Sequence, residues 1–367
     1  MNVSLPKMRA VDIGLKFPGT PATHNCITDV EGVTVGYTTI IKGEGRLVVG
    51  QGPVRTGVTA ILPRPVSQIC QPVFAGLFSL NGNGEMTGSH YIEEVGKFAL
   101  PVTITNTHSC GIARDATIRW AAKQFPDYFD SEFALPVAAE TYDGFLNDIN
   151  GMHVTADDVE NAIVSATSGA IEEGSVGGGT GMKCFGFKAG SGTASRMVNY
   201  AGTDYTVGTF VQANFGARAD LKILGHPIGK FLIEPQILRN TPDNKLSSII
   251  VIIATDAPLL PHQLKRLARR STFGIGNTGG FAHHGSGDIF LAFSTANAHA
   301  TPGQTEDILS SHHIPDEHMD PLFEAVVQST EEAILNSLIA NADMTGRDGN
   351  FVPMLPHEEL KSALGIY

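Results

Sequence analysis

The sequence predicts an α/β fold in which strands gather into layers between helices, and three observations carry that expectation. Short apolar runs rich in β-branched residues recur along the chain, most of them bounded by Gly, Pro or Asn. Segments of helical period lie between those runs. The 41 glycines and 20 prolines punctuate the apolar segments and form no low-complexity tract. With 367 residues, 42% hydrophobic and 17% charged, the chain has enough apolar material to bury a large core. No linker-like stretch or internal repeat divides it, so residues 1–367 read as a single α/β domain.

Taken in order, strands are expected at 58–62, 73–80, 102–107, 137–140, 207–213, 249–254 and 289–294. The 249–254 run is unbroken, as suits a strand buried on both faces, whereas Pro242, Asp243 and Asn244 before it read as an exposed loop. Ser247 and Ser248 stand at the junction. Thr155 and Asp158 make a capping-box-like helix start ahead of Val159, Ala162, Ile163 and Ala166, which share one face. After Pro258 and Pro261, the residues Leu260, Leu264, Leu267 and Ala268 follow helical spacing, with Lys265, Arg266, Arg269 and Arg270 outside as a solvated basic face. Residues 322–339 read as a longer helix of the same kind, and 174–195 is the largest irregular segment.

Charge and cysteine usage narrow the function. A net charge of -12 and a pI near 5.5 argue against nucleic acid or an anionic membrane as a partner, since both reward clustered Lys and Arg. Cys26, Cys70, Cys110 and Cys184 form no CxxC pair and read as reduced thiols. The N-terminal stretch lacks the apolar core of a signal peptide, and no apolar run reaches the roughly 18 residues of a membrane span. A soluble, cytoplasmic protein is expected.

The glycine-rich segment "GSVGGGTGMKCFGFKAGSGTAS" raises phosphate binding, yet Met182 separates Gly181 from Lys183 where a P-loop needs Gly-Lys in succession. A nucleotide-binding protein using residues 174–195 is the non-enzyme alternative; a glycine turn that packs closely on another layer, or lines a pocket, fits the spacing better. Thirteen histidines raise metal binding, but there is no HExxH, and the pairs His283–His284 and His312–His313 send neighbouring side chains in different directions. No metal and no cofactor is expected, and no GxSxG elbow is present.

Polar groups do stand beside the buried runs. "VAAETYDG" places Glu140, Thr141 and Tyr142 at a strand end, "FVQANFG" places Asn214 at another, and "HHGSGDIFLAFSTAN" places Ser286 and Asp288 at the start of a third. With Ser248 they supply a nucleophile, an amide donor, a phenol, two further hydroxyls and two carboxylates.

These stretches, together with "SSIIVIIATDAPLLPHQLKRLARR", the glycine-rich segment and "SLNGNGEMTG", resemble the L-aminopeptidase D-Ala-esterase/amidase family, which includes the β-peptidyl aminopeptidases, over essentially the whole chain. The resemblance implies an αββα layered sandwich of the N-terminal-nucleophile-hydrolase kind. It implies a precursor that cuts itself before a serine into an α subunit, 1–247, and a β subunit, 248–367, assembled as a tetramer of heterodimers. Ser248 then performs the cut, becomes an N-terminus and serves as the catalytic nucleophile. The residue before the cut in this family is often Gly or Asn; Ser247 stands there, which makes Ser247 the rival nucleophile. By the same resemblance Ser286 and Asp288 hydrogen-bond around the nucleophile, Asn214 donates to the oxyanion, Tyr142 lines the site, and Glu140 receives the free ammonium group of a short peptide, amide or ester. The alternatives within enzymes are β-peptidyl specificity and an ornithine-acetyltransferase-like acyltransferase, whose expected nucleophile is threonine.

The case for Ser248 also has a physical basis. A hydroxyl at the mouth of a rigid strand can be held against its own preceding carbonyl, and an N-to-O acyl shift followed by hydrolysis frees both hydroxyl and α-amine. An α-amine, with a reference pKa of about 7.7–8.0, acts as a base near neutral pH where serine alone does not.

Overall fold

Two sheets packed face to face organise the chain, and the computed structural model describes residues 8–241, 246–298 and 308–366 of it. The loop expected at Pro242, Asp243 and Asn244 lies outside the described residues. The strands are β1 (Thr34–Lys42), β2 (Val54–Leu62), β3 (Val73–Gly82), β4 (Lys97–Phe98), β5 (Val102–Asn106), β6 (Ala138–Thr141), β7 (Lys183–Cys184), β8 (Phe187–Lys188), β9 (Ser191–Tyr200), β10 (Thr203–Asn214), β11 (Ser247–Thr255), β12 (Ser286–Ser294) and a short pair, β13 (Met344–Thr345) and β14 (Phe351–Val352). One sheet has the order β1-β2-β5-β6, the other β4-β3-β12-β11-β10-β9, and β7 and β8 make a separate short hairpin.

The helices are α1 (Ser89–Val95), α2 (Cys110–Gln124), α3 (Pro126–Phe129), α4 (Ala156–Val164), α5 (Pro261–Asn277), α6 (Asp320–Ile339) and α7 (His357–Leu364). Helices α2 and α4 cover the outer face of the four-stranded sheet, and α5 and α6 cover that of the six-stranded sheet. The result is the αββα sandwich. Strand β11 shows why its sequence is apolar throughout: Ile250, Ile252 and Ala254 enter the core between the sheets, while Ile249, Val251 and Ile253 face the helices. A strand covered on both faces has no polar side to display.

Each expected strand falls on an observed one, with ends displaced by a few residues. Strands β1 and β9 carry no such signal, because "TVGYTTIIK" and "SGTASRMVNY" mix small and polar residues that only their position in the sheets buries. Thr155 caps α4 through the reciprocal bonds expected with Asp158. Pro261 opens α5, whose Leu264, Leu267 and Ala268 are buried.

Three readings need correction. The basic face of α5 is not simply solvated: Arg270 and Arg266 lie over the Phe323 ring, at 3.9 and 5.1 Å from its centroid, and Arg269 lies 5.2 Å from that of Phe78. Helix α6 is not one-sided, since nearly every residue from Ser329 onward is buried. Its polar groups are tied inward, Glu332 to Arg196 at 2.7 Å and Asn336 to both Thr193 and Ala10, because the N-terminal segment covers the side a surface helix would expose. Finally, the last residues of the segment read as irregular, from Ser191 on, belong to β9.

The rest of the glycine-rich segment packs backbone against backbone. A Cβ on Gly178 would stand 2.5 Å from the Ile104 carbonyl oxygen and 2.3 Å from Gln212 Oε1, so no phosphate fits there.

Candidate active site

The site assembles where β11 begins. The register places Ser248 opposite Asn214 of antiparallel β10 and opposite Gly287 of parallel β12. Paired residues share a face of a sheet, so Ser248 and Asn214 open into the space between the sheets. Ser286 pairs with Ser247, and Asp288 with Ile249, which puts Ser286 and Asp288 on the helix-facing side.

Ser248 is 3% exposed, and its Oγ accepts the backbone N–H of Tyr142 at 3.3 Å. Asn214 is clamped at both ends of its amide: Nδ2 donates to the Tyr142 carbonyl at 2.9 Å and Oδ1 accepts the Lys183 N–H at 3.2 Å. The loop carrying Lys183 is held in turn by the fully buried ammonium of Lys188, which donates to the carbonyls of Met182 at 2.8 Å and Ala189 at 2.5 Å. The Tyr142 phenol lies against Gly144, where an added Cβ would stand 2.4 Å from the hydroxyl. The main chain of Tyr142 meets Ser248.

Glu140 sits on β6, 4% exposed, with Oε1 accepting the Glu85 N–H at 2.9 Å and Oε2 accepting the Thr107 hydroxyl. Burial pushes its carboxyl up from the ordinary range, with those two bonds pulling the other way. Glycines let the backbone pack closely beside it: a Cβ on Gly84 would lie 3.1 Å from Glu140 Oε1 and 3.3 Å from the Gly287 Cα, and one on Gly287 would lie 2.5 Å from the Asn83 carbonyl oxygen.

On the opposite face, Ser286 Oγ donates to Asp288 Oδ1 at 2.6 Å. Asp288 Oδ2 is buried and has no hydrogen-bond partner among the described residues. Burial pushes the Asp288 carboxyl up to about 6, opposed by the Ser286 bond and by His283 nearby. A cavity of about 560 Å³ opens beside Asn214 and Ser247, with Phe215 and Leu246 among its apolar walls. Among the described residues no group of three His, Cys, Asp or Glu side chains is set to hold a metal.

The structure therefore brings Ser248, Asn214 and the Tyr142 main chain together, with Glu140 next to Gly84 at the end of β6, and places the Ser286–Asp288 pair on the opposite face of the six-stranded sheet. Sequence reasoning missed Lys183, Lys188, Thr107 and Gly287. Lys188 had a signal, a lysine between Phe187 and Ala189 in a buried run, where an unpaired ammonium would not survive. The contributions of Lys183 and Tyr142 are main-chain N–H groups, which leave no trace in residue type.

This arrangement offers a buried hydroxyl, donors converging beside it, and a carboxylate a short way off. The chain matches the model of peptidase family S58 over residues 25–352. It is 49% identical to a beta-peptidyl aminopeptidase, BapA, of Sphingosinicella microcystinivorans, over 98% of this chain and 92% of that one. Among solved structures it resembles the L-aminopeptidase D-Ala-esterase/amidase of Ochrobactrum anthropi, described as a prototype serine aminopeptidase and a variant of the Ntn hydrolase fold. The TM-score is 0.90 at 46% identity, covering 97% of this chain and 98% of that one. A Burkholderia beta-aminopeptidase superposes with a TM-score of 0.87 at 42% identity, covering 98% of each chain.

Proposed function

The chain belongs to peptidase family S58 and is a serine aminopeptidase, and from that premise we propose that Ser248 cuts the chain after Ser247 and then serves as nucleophile toward short peptides, amides or esters with a free amine. The observation that carries this reading is the Tyr142 N–H on Ser248 Oγ, with Asn214 paired across the ladder and clamped to the same Tyr142.

In processing, Ser248 Oγ attacks the Ser247 carbonyl carbon, the peptide C–N bond breaks in favour of an ester, and water hydrolyses the ester to a Ser247 carboxylate and a free Ser248 α-amine. The products are subunits 1–247 and 248–367. In turnover, the α-amine takes the hydroxyl proton as Oγ attacks the substrate carbonyl, and returns it to the leaving amine. The Tyr142 N–H and the Asn214 amide donate to the oxyanion. Asp288, with an unused buried oxygen, pairs with the new α-ammonium whenever that amine is protonated. Glu140 receives the substrate ammonium, a contact that asks for a free amine.

Four unpaired cysteines support a reducing compartment, which we take to be the cytoplasm. Among the described residues no helix is long and apolar enough to cross a membrane. The assembly is a tetramer of heterodimers, measurable as native mass.

An intact-mass spectrum tests the reading. The 38.9 kDa chain should yield fragments of about 26 and 13 kDa, the smaller one beginning Ser-Ile-Ile-Val on Edman sequencing. A start at Ser-Ser-Ile would transfer the role to Ser247, and a fully active uncut chain would end the proposal. Acetylating the amine of a good dipeptide amide should abolish its cleavage, and equal rates on the free and acetylated forms would remove the ammonium contact.

A further inference from the structure

The segment joining β13 to β14 grips the stretch of chain that runs up to Ser247. Leu238 bridges Phe351 of β14 through both main chains, its N–H donating to the Phe351 carbonyl at 3.1 Å and its carbonyl accepting the Phe351 N–H at 3.0 Å. Ile237 packs into a small apolar cluster with Phe145, Leu146, Met344 and Val352. Asn240 and Thr241 then meet one side chain. Asn350, fully buried, accepts the Asn240 N–H on Oδ1 at 2.9 Å, while its Nδ2 donates to the Thr241 hydroxyl at 2.9 Å and to the Phe145 carbonyl at 2.8 Å. The main-chain partners fix which end of the amide is which, since an N–H donates and a carbonyl accepts. Asn240 Nδ2 adds a bond to the Asp348 carbonyl at 3.0 Å. Residues 237–241 precede the proposed cut and Asn350 and Phe351 follow it, so the grip crosses from one proposed subunit to the other.

The same amide is tied to the nucleophile by a second route. Phe145 lies in the turn that follows Tyr142, closed by the Leu146 and Asn147 N–H groups on the Asp143 carbonyl, each at 3.1 Å. The Tyr142 N–H meets Ser248 Oγ, and the Tyr142 carbonyl holds Asn214. Asn350 thus joins the chain that carries the Ser247 carbonyl to the turn that carries an oxyanion donor. At the cut itself, the Ser247 N–H bond to the Gly285 carbonyl is long, at 3.4 Å. Attack within one chain depends on holding both reacting groups in one orientation.

We propose that Asn350 is a positioning residue for chain cutting, an anchor that keeps residues 238–241 and the turn after Tyr142 in one frame so that the Ser247 carbonyl is presented to Ser248 Oγ beside its oxyanion donor. The assignment rests on the processing reading of Ser248 and deepens it. The partners of Asn350 are main-chain groups and one hydroxyl, and it exchanges no proton in the step.

The test follows cutting over time in freshly translated full-length chain, by the appearance of fragments 1–247 and 248–367. Asn350→Ala should slow cutting by about tenfold or more, given that a displacement of roughly 1 Å costs up to about a hundredfold. Because Asn350 is buried and its loss could impair folding, Asn240→Pro is the deciding variant. It removes the N–H that Asn350 accepts, together with the Asn240 side chain, on an exposed segment, and spares the bond from Asn350 to Phe145. Cutting should slow in this variant too, while the enzyme obtained once cutting is complete should turn over a dipeptide amide with the wild-type kcat. A residue that only supports the fold would lower both. Cutting of Asn240→Pro at the wild-type rate, or a kcat lost in step with cutting, would overturn the anchor. A wild-type chain that stays whole would instead end the processing reading on which the anchor rests.

Discussion

The two faces of the sheet at the start of β11 make opposite use of polar groups. Ser248 and Asn214, between the sheets, and Glu140, beside them on β6, already have hydrogen-bond partners, most of them main-chain groups. Behind the sheet, one oxygen of Asp288 has Ser286 while the other is buried without a partner. Satisfied groups hold a fixed geometry; an unsatisfied carboxylate costs stability and waits for a positive charge. The comparison teaches that the front-face groups are held in a fixed geometry while the back face keeps one carboxylate oxygen uncompensated, and the proposed processing would supply the charge it lacks.

The largest expected effect breaks the front face outright. Ser248→Ala should leave a folded, full-length and inactive chain, since the proposed mechanism gives one hydroxyl both processing and turnover; mass spectrometry and a peptide-amide assay check both halves. Any fragmentation at residue 247 in that variant would dissociate processing from Ser248.

Asn214→Ala comes next, with turnover expected to fall about a hundredfold or more, the usual scale for losing one oxyanion donor. Processing should slow as well, because it passes through a similar oxyanion. Wild-type kcat would remove Asn214 from the machinery.

Glu140→Gln sharpens the division of labour at the site. It should weaken handling of free-amine substrates by on the order of 1.5–3 kcal/mol, the worth of a charge-assisted hydrogen bond, while leaving processing, which involves no substrate ammonium, at its normal rate. Comparing kcat/KM with the rate of chain cutting decides it.

The last effect, on stability and not on turnover, probes the back face through pH. Burial lifts the Asp288 carboxyl in the folded chain to about 6 from an ordinary value of 3.8. The folded state thus binds the proton more tightly than the unfolded state, and the stability this brings is present below pH 3.8 and lost as pH rises through about 6. Asp288→Asn in the uncut Ser248→Ala chain should therefore stabilise at pH 8 relative to pH 4, by up to on the order of 3 kcal/mol in urea unfolding. In the processed enzyme the gain should shrink, because an α-ammonium there would compensate the carboxylate. An equal gain in both forms would break the link between Asp288 and the new N-terminus.

Much of the site was legible because its side chains interrupt apolar runs. Glu140 closes "VAAE", Asn214 closes "FVQAN", and Ser286 and Asp288 open "SGDIFLAF". At a strand end a polar residue is cheap for folding, so its type carries information about chemistry. Other parts of the site were not legible, for a related reason. The Tyr142 N–H, the Lys183 N–H and the close packing of Gly287 against the Asn83 carbonyl are properties of main chain and space, and any residue could supply the first two.

The sequence by itself determined the buried strands, the caps of α4 and α5 and the residue types gathered at the strand ends, because hydrophobic period, capping hydroxyls and prolines act over a few neighbouring residues. Only the tertiary structure decided which face each polar group would occupy. Register between strands distant in sequence sets that, and a one-residue shift would carry Ser248 to the side of Asp288 and exchange the two roles.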